Sequence, residues 1–440
     1  MCKKSHIAEP DRKLSPVGAA GGLPKSNEGS EADNTDLETA SVTSSHLSEL
    51  DSIEEAAAKL GLDEEDDNSE QNDLEDKIEE LIDGTTQKSA QGRQTCLDGL
   101  RAAFAKKFLP EFVQKRKATL SDCVERCLKR GKGEEQGAAA LLSVLVYIQL
   151  GASVDTEEVF NSMKPILLTT LQDSSASSKA RRSCALALGI GSFIAPGDYE
   201  TLKSCMSALE QIFSQSYFKG DGSSPTHSPE IHKLHCAAIS AWTLLLSIMS
   251  ARVVGEMIES HLPKLPQLLE SDDVNLRIVA GETIALFYEL AREEDEEFYG
   301  DDMDELMAKL KELATDSNKY RAKKDRRQQR SSFRDIMKTI ETNESPYELI
   351  KFGQESIELD SWVRRRQYSA LREVLGSGTN THLKENHLLR EIFGLGDPLV
   401  IIPGTSNQLT KFERHQNNLA AFKALTKVRS KQRDKRVPVL

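Results

Sequence analysis

One register constrains this chain more than any other feature. Arg93, Gly137, Arg181, Lys233 and Arg277 follow one another at spacings of 44, 44, 52 and 44 residues. Three residues beyond each stands a small residue: Cys96, Ala140, Cys184, Cys236 and Ala280. One further come Leu97, Leu141, Ala185, Ala237 and Gly281, and at the seventh place Leu100, Val144, Leu188, Ser240 and Ile284. Offsets of three, four and seven fall on one face of an α-helix. Small residues on such a face let a neighbouring helix approach closely, so the register marks one inner helix per unit. The single longer step contains Gly220-Asp221-Gly222-Ser223-Ser224-Pro225, which reads as an inserted loop. A period near 44 with two or more helices per unit belongs to armadillo- and HEAT-type arrays, whose units bury their apolar faces on one another. The expected fold is all-α: an armadillo/HEAT-like helical-repeat solenoid with a disordered acidic N-terminal arm and a basic C-terminal helix. An ordinary helical bundle with coincidental spacing is the alternative.

The pattern around the register agrees. Apolar residues recur at three- and four-residue spacing over 134–150, 157–171, 202–218 and 231–249, with short breaks between. Asp83, Asp173 and Asp272 or Asp273 precede three of the inner helices as caps or turn residues. Beyond the array, Ile350, Phe352, Ile357 and Leu359 around Gly353 spell a small hairpin. Helices are expected over about 361–376 and 382–393, then a Gly/Pro-containing link over 394–404 and a final helix from about Thr410. The domain reading is an acidic arm over 1–72, the solenoid over 73–318, a basic segment and C-terminal helical region over 319–396, and a linker with the basic helix over 397–440.

Charge is segregated along the chain. Between residues 28 and 83, 21 acidic residues stand against Lys59 and Lys77, a net of −19. The whole chain carries −13, so the remainder is net positive. The first 70 or so residues are rich in Ser, Glu, Asp, Gly and Asn and have no sustained apolar period. Such a segment cannot bury enough surface to offset its chain entropy. Aromatic residues make up only 5%, which argues against a β-sandwich or a stacking platform for RNA bases. No run of about 18 apolar residues spans a membrane, and no apolar run near the start reads as a secretory signal. The seven cysteines are odd in number and scattered, as expected of reduced thiols in a cytosolic or nuclear protein.

Catalytic and metal chemistry finds little footing. Gly131-Lys132-Gly133 lacks the strand before it and the Ser/Thr after its Lys that a phosphate loop requires, and so is a turn. Cys123 and Cys127 sit four apart on one helix with no matching second pair, and core packing explains them. His232, His235 and Cys236 read as interior packing on a repeat helix. Glu293-Glu294-Asp295-Glu296-Glu297 reads as a solvated loop, without the spacing or central Gly of a calcium loop. No nucleophile elbow is present. The chain is therefore expected to be no enzyme, to hold no metal, cofactor or small-molecule substrate, and to touch no membrane.

Two basic clusters carry the chemistry that is present. Between residues 319 and 334, eight Lys/Arg stand against one Asp; they include Arg321, Lys323, Lys324, Arg326, Arg327 and Arg330. In the final helix Phe412, Leu419, Phe422 and Leu425, continued by Val428, form an apolar stripe fit to dock on a protein surface. Beyond it the charge runs on without anything apolar to bury. Lys423, Lys427, Arg429, Lys431, Arg433, Lys435 and Arg436 form a prong that attracts a polyanion by counterion release, without reading bases. A frayed, solvated helix end is the plainer reading, and a nuclear-import signal over 323–330 or 431–436 is a third.

Three segments resemble the interferon-related developmental regulator family. They are Leu313-Ala314-Thr315-Asp316-Ser317-Asn318-Lys319-Tyr320-Arg321-Ala322-Lys323 with Arg326-Arg327; Asp272-Asp273-Val274-Asn275-Leu276-Arg277; and the tail from Ala421-Phe422-Lys423 through Arg433-Asp434-Lys435-Arg436. Gly133-Glu134-Glu135-Gln136 and Ile392-Phe393-Gly394-Leu395-Gly396 look closer to its second member than to its first. Val437-Pro438-Val439-Leu440 departs from the family pattern. The resemblance implies a helical-repeat regulator without catalytic activity. For the second member it implies a partner, the ribosome with its RNA and proteins, idle in translation, whose tRNA sites it occupies while the C-terminal helix enters the mRNA path. For the first it implies transcriptional co-regulation with co-repressor complexes. The expected function is thus a ribosome-binding repressor of translation, cytoplasmic and with the nucleus as second compartment; a nuclear co-regulator scaffold is the alternative.

The arm yields a prediction of its own. Deleting residues 1–70 should leave the melting temperature nearly unchanged, measured by circular dichroism, because a segment of this composition has no core to share. A large loss of stability would show the arm packed on the array.

Overall fold

The computed structural model describes residues 68–316 and 322–399, with side chains from residue 73 onward. The acidic arm up to residue 67, Arg321 and the tail from residue 400 lie outside the described residues. Helices come in pairs, an outer one followed by an inner one. The first pair is α1 (Asn68–Gly84) and α2 (Ala90–Lys106). A short α3 (Pro110–Lys115) leads into α4 (Lys117–Arg130) and α5 (Glu134–Leu150). Then follow α6 (Val154–Gln172) with α7 (Ser178–Ile194), and α8 (Tyr199–Phe213) with α9 (Pro229–Leu246). The fifth pair is α10 (Ala251–His261), extended by a 3-10 turn over Leu265–Glu270, with α11 (Val274–Glu294). The sixth is α12 (Met303–Thr315) with α13 (Lys323–Thr342).

The inner helices stack side by side in the order α2, α5, α7, α9, α11, α13, each also packed on its own outer partner. All five register residues lie on inner helices, as the period predicts. The expected helical-repeat architecture is thus present, and the step of 52 is a loop before α9. Small residues do set the spacing. A Cβ at Gly189 of α7 would stand 2.6 Å from the Ala241 Cβ of α9, so neither helix could hold its place with a larger residue there.

In four of the six pairs a polar side chain of the inner helix binds a carbonyl of its outer partner or of the turn between them. Arg93 donates to the carbonyls of Gln87 (2.8 Å) and Lys88 (2.9 Å) in the turn before α2, and grips Glu135 of α5 with Nε and Nη2 at 2.6 and 2.9 Å. Arg181 reaches back from α7 to the Leu171 carbonyl at 2.9 Å, and Arg277 from α11 to that of Ser271. Arg277 also donates to Gln329 Oε1 of α13 at 2.5 Å, and Gln329 Nε2 donates to the Leu313 carbonyl at 3.2 Å. Gln329 thus repeats the arginines' task one unit later. A Cβ on Gly281 would meet Phe333 at the same offset of 52 residues. The basic segment that opens after residue 318 therefore begins inside a sixth pair of the row.

Serines cap three of the six inner helices. Ser89, Ser177 and Ser228 each accept from a backbone N–H three residues on, and Asp273 does the same for α11. Asp173 shapes the turn after α6 by accepting from the Ser175 N–H at 2.8 Å, whereas Asp83 sits in the last turn of α1 and Ser89 takes the cap of α2.

After α13 the chain turns back. An antiparallel hairpin of β1 (Glu348–Phe352) and β2 (Glu355–Leu359) pairs Ile350 with Ile357, and Gly353 makes its turn at φ +59°. Helix α14 (Trp362–Leu375) then recrosses the row, packing on α11, α9, α5 and α2. Two short helices, α15 (Thr379–Glu385) and α16 (His387–Ile392), close the block. The single helix expected over 382–393 is broken at Asn386, whose side chain accepts from the Leu388 N–H and donates to the Ile148 carbonyl, both at 2.9 Å. Gly378 is tight for a backbone reason: a Cβ there would overlap the Ala105 carbonyl at the end of α2.

Three ties dock this block across the C-terminal halves of the inner helices. The Glu289 carboxylate of α11 accepts from the Trp362 N–H (2.8 Å), the Val363 N–H (3.0 Å) and the Ser345 hydroxyl (2.7 Å), capping α14 from 73 residues away. Gln367 donates to the Ser247 hydroxyl at 3.2 Å. His382, fully buried, donates from Nε2 to the Phe104 carbonyl at 3.1 Å while Nδ1 accepts from Asn386.

Two predictions follow from these ties. Glu289→Ala strands two amide donors at the start of α14 and should cost roughly 2–3 kcal/mol in denaturant unfolding; Glu289→Gln should cost less. Burial holds His382 down to about 4, from 6.5. The neutral ring is the docked form, so the stability it contributes is complete above pH 6.5 and falls by roughly 1.4 kcal/mol per unit toward pH 4. His382→Gln should therefore be weaker at pH 7 yet show a shallower loss of stability between pH 6.5 and 4.

Candidate nucleic-acid interface

Helix α13 sorts its residues by face. Gln329, Phe333, Ile336 and Ile340 recur at helical spacing and are buried against α11 and α12. The cations of the first two turns occupy the remaining faces. Lys323, Lys324 and Arg327 are exposed, and Arg326 and Arg330 half-buried along their stems. Arg330 Nε donates to the Arg326 carbonyl at 3.3 Å, and none of the five meets a carboxylate among the described residues. Ala322 at the helix start offers no side-chain cap, and only Asp325 in the first turn opposes the cations. Positive charge at a helix N-terminus runs against the helix dipole, at a typical cost of a few tenths of a kcal/mol per group. These side chains thus weaken their own helix slightly and support no core. They leave a positive surface on which an external anion would be stabilised by charge.

The sequence-assigned binding residues divide accordingly. Lys323, Lys324, Arg326, Arg327 and Arg330 share this helix start. Arg321, the tail cations Lys423, Lys427, Arg429, Lys431, Arg433, Lys435 and Arg436, and the docking residues Phe412, Leu419, Phe422 and Leu425 lie outside the described residues.

Other clusters are committed to packing. His235, held down to about 3 by burial, has its Nδ1 within 2.7 Å of the Ser216 hydroxyl and its ring under that of His227. His227 also stacks edge-on against His232, closing the inserted loop onto α9. Cys123 is held down to about 7 by the Cys127 thiol and the Thr85 hydroxyl against it, while the same contact pushes Cys127 up; both thiols are about 1% exposed. Among the described residues no group of three or more His, Cys, Asp or Glu is arranged to hold a metal ion. A small pocket lies between α9, α11 and α14, lined by Ser240, Thr243, Glu282, Thr283, Arg365 and Arg366. Its threonine hydroxyls sit on the carbonyls of Ile239 (2.7 Å) and Val279 (2.8 Å), and burial raises Glu282 against the pull of the two arginines. The pocket is part of the seam that seats α14. No helix among the described residues is long and apolar enough to cross a membrane.

Sequence reasoning found the hairpin and the helices after it but missed that they fold back across the row. The anchors of that return are single polar side chains, Glu289, His382 and Asn386, which no period announces.

Comparison with known proteins agrees with the segments quoted above. The family description "Interferon-related developmental regulator" matches residues 39–341, and "Interferon-related protein conserved region" matches residues 386–437. Interferon-related developmental regulator 2 of Mus musculus is 47% identical over 87% of this chain and 87% of its own length. Interferon-related developmental regulator 1 of Homo sapiens is 46% identical over 85% of this chain and 83% of its own. Among solved structures, a designed armadillo repeat protein aligns with 60% of this chain and 99% of its own at 15% identity and a TM-score of 0.37.

Proposed function

The chain belongs to the interferon-related developmental regulator family, and on that premise we propose that it is a ribosome-binding repressor of translation whose basic C-terminal helix occupies tRNA and mRNA sites of idle ribosomes. The observation that carries the reading is the cationic start of α13. Five Lys/Arg open the helix unpaired by any described carboxylate, three of them in the first turn where they weaken it, and a phosphate-rich partner would offset both effects. The tail adds a second basic element whose charge continues to Arg436, past the end of its apolar stripe at Val428. Identities of 47% and 46% to the second and first members leave the two family roles nearly balanced by overall likeness. The polyanion chemistry favours the ribosomal one.

Sucrose-gradient sedimentation with cell-free translation tests the proposal. The full chain should travel with whole ribosomes, leave them in high salt and repress translation. Changing Lys431, Arg433, Lys435 and Arg436 to Ala should abolish repression without unfolding the protein. It should also flatten the log–log salt dependence of binding by up to about four units. Changing Lys323, Lys324 and Arg327 to Ala should flatten it by up to about three. A four-alanine tail variant that repressed and sedimented like wild type would overturn the proposal in favour of the nuclear scaffold.

A further inference from the structure

We propose that Arg390 is a positioning residue: its guanidinium fixes where, and in which direction, the chain leaves the folded body for its basic tail. The side chain is 1% exposed and lies in the last turn of α16. Its Nε donates to the Gly396 carbonyl at 2.7 Å, and Nη2 lies 3.0 Å from the carbonyls of both Leu395 and Asp397. One side chain thus holds three consecutive carbonyls of the exit loop. The same guanidinium faces the Glu355 carboxylate of β2 in fork geometry at 3.0 and 2.8 Å, and reaches the Leu383 carbonyl of α15 at 3.0 Å. Arg390 is accordingly the point where hairpin, short helices and exit loop meet.

Burying a guanidinium is strongly unfavourable unless its charge is matched and its N–H groups are used. Here Glu355 supplies the charge, and that contact holds Glu355 below its ordinary range. A loop that merely ended a domain would leave its carbonyls to water at no such cost. This loop has no helix or strand of its own, and Gly394 at φ +66° and Gly396 at φ +70° bend it around the guanidinium. The family region spanning 386–437 begins at Asn386, which locks α16 to α5, and takes in Arg390, the exit loop and the basic tail as one segment. A fixed exit holds the tail at a high effective concentration over its target once the body is bound, and removes ordering entropy from the binding step. The functional half of this inference rests on the tail being the ribosome-facing element.

The test uses the full chain with spin labels at exposed positions 157, on α6, and 399, beyond the exit loop. Wild type should give a narrow distance distribution. Arg390→Lys keeps a charge opposite Glu355 but loses the fork, so it should keep the melting temperature within a few degrees and broaden the distribution. It should also weaken ribosome binding by roughly tenfold through lost effective concentration. The double variant Arg390→Met with Glu355→Leu removes both charges and should do the same without a stranded ion. A distribution as narrow as wild type in both variants, or already broad in wild type, would overturn the inference. A broadened distribution with unchanged ribosome affinity would overturn its functional half. A tail four-alanine variant that still bound ribosomes normally would remove the ribosomal reading, and the distances would still decide whether Arg390 sets the exit.

Discussion

Helix ends impose the constraint on which this structure rests. A buried helix terminus leaves backbone groups that its own turns cannot satisfy. In a stacked array that problem recurs at every unit. Here it is solved by side chains from elsewhere in the chain. Arg93, Arg181, Arg277 and Gln329 bind carbonyls at the end of four of the six outer helices or in the turn behind them. Gln149 takes the carbonyls of Phe104 and Lys107 at the end of α2 and gives its own oxygen to the Leu109 N–H. Arg292 takes those of Thr339 and Ile340 at the end of α13. Apolar burial then supplies bulk stability, and these ties decide which packing is the unique one.

Cationic residues serve two opposite ends in the same fold. Those of α14 (Arg364, Arg365, Arg366 and Arg372) ride on a helix laid across α9 and α11, where Arg365 and Arg366 line a pocket with the carboxyl of Glu282. Arg364 and Arg365 also face Asp360 and Glu348. Those at the start of α13 have no described carboxylate to meet. Charge alone does not separate the two groups in the sequence, and both begin at the start of a helix; the carboxylates that face each group do.

What the sequence disclosed follows from what is periodic. Small residues three places beyond a register position specify how closely two helices may lie, and that requirement repeats with each unit. The hairpin was legible because Gly353 sits between alternating strands. The register became unreadable at Gln329, since the tying residue changes from Arg to Gln and the step lengthens to 52. The return of the chain across the row was illegible for a different reason. It depends on contacts such as His382 with Phe104, 278 residues apart, and on side chains whose roles appear only when their partners are placed. The basic residues were visible as charge; that five of them share one helix start came from the structure, and their partner from family resemblance.

The recrossing block also changes how such an array assembles. In an ordinary helical-repeat protein each unit touches only its neighbours, so stability is close to a sum of local terms and folding can spread from any unit. Here the Ile148 carbonyl of the second pair waits for Asn386, synthesised 238 residues later. A nascent chain that has emitted every repeat still has open ends until α14, α15 and α16 emerge. Nearest-neighbour accounting should therefore fail for this protein. The distant pairing raises contact order above that of a simple stack, slows completion of folding and makes the second and fifth helix pairs melt together.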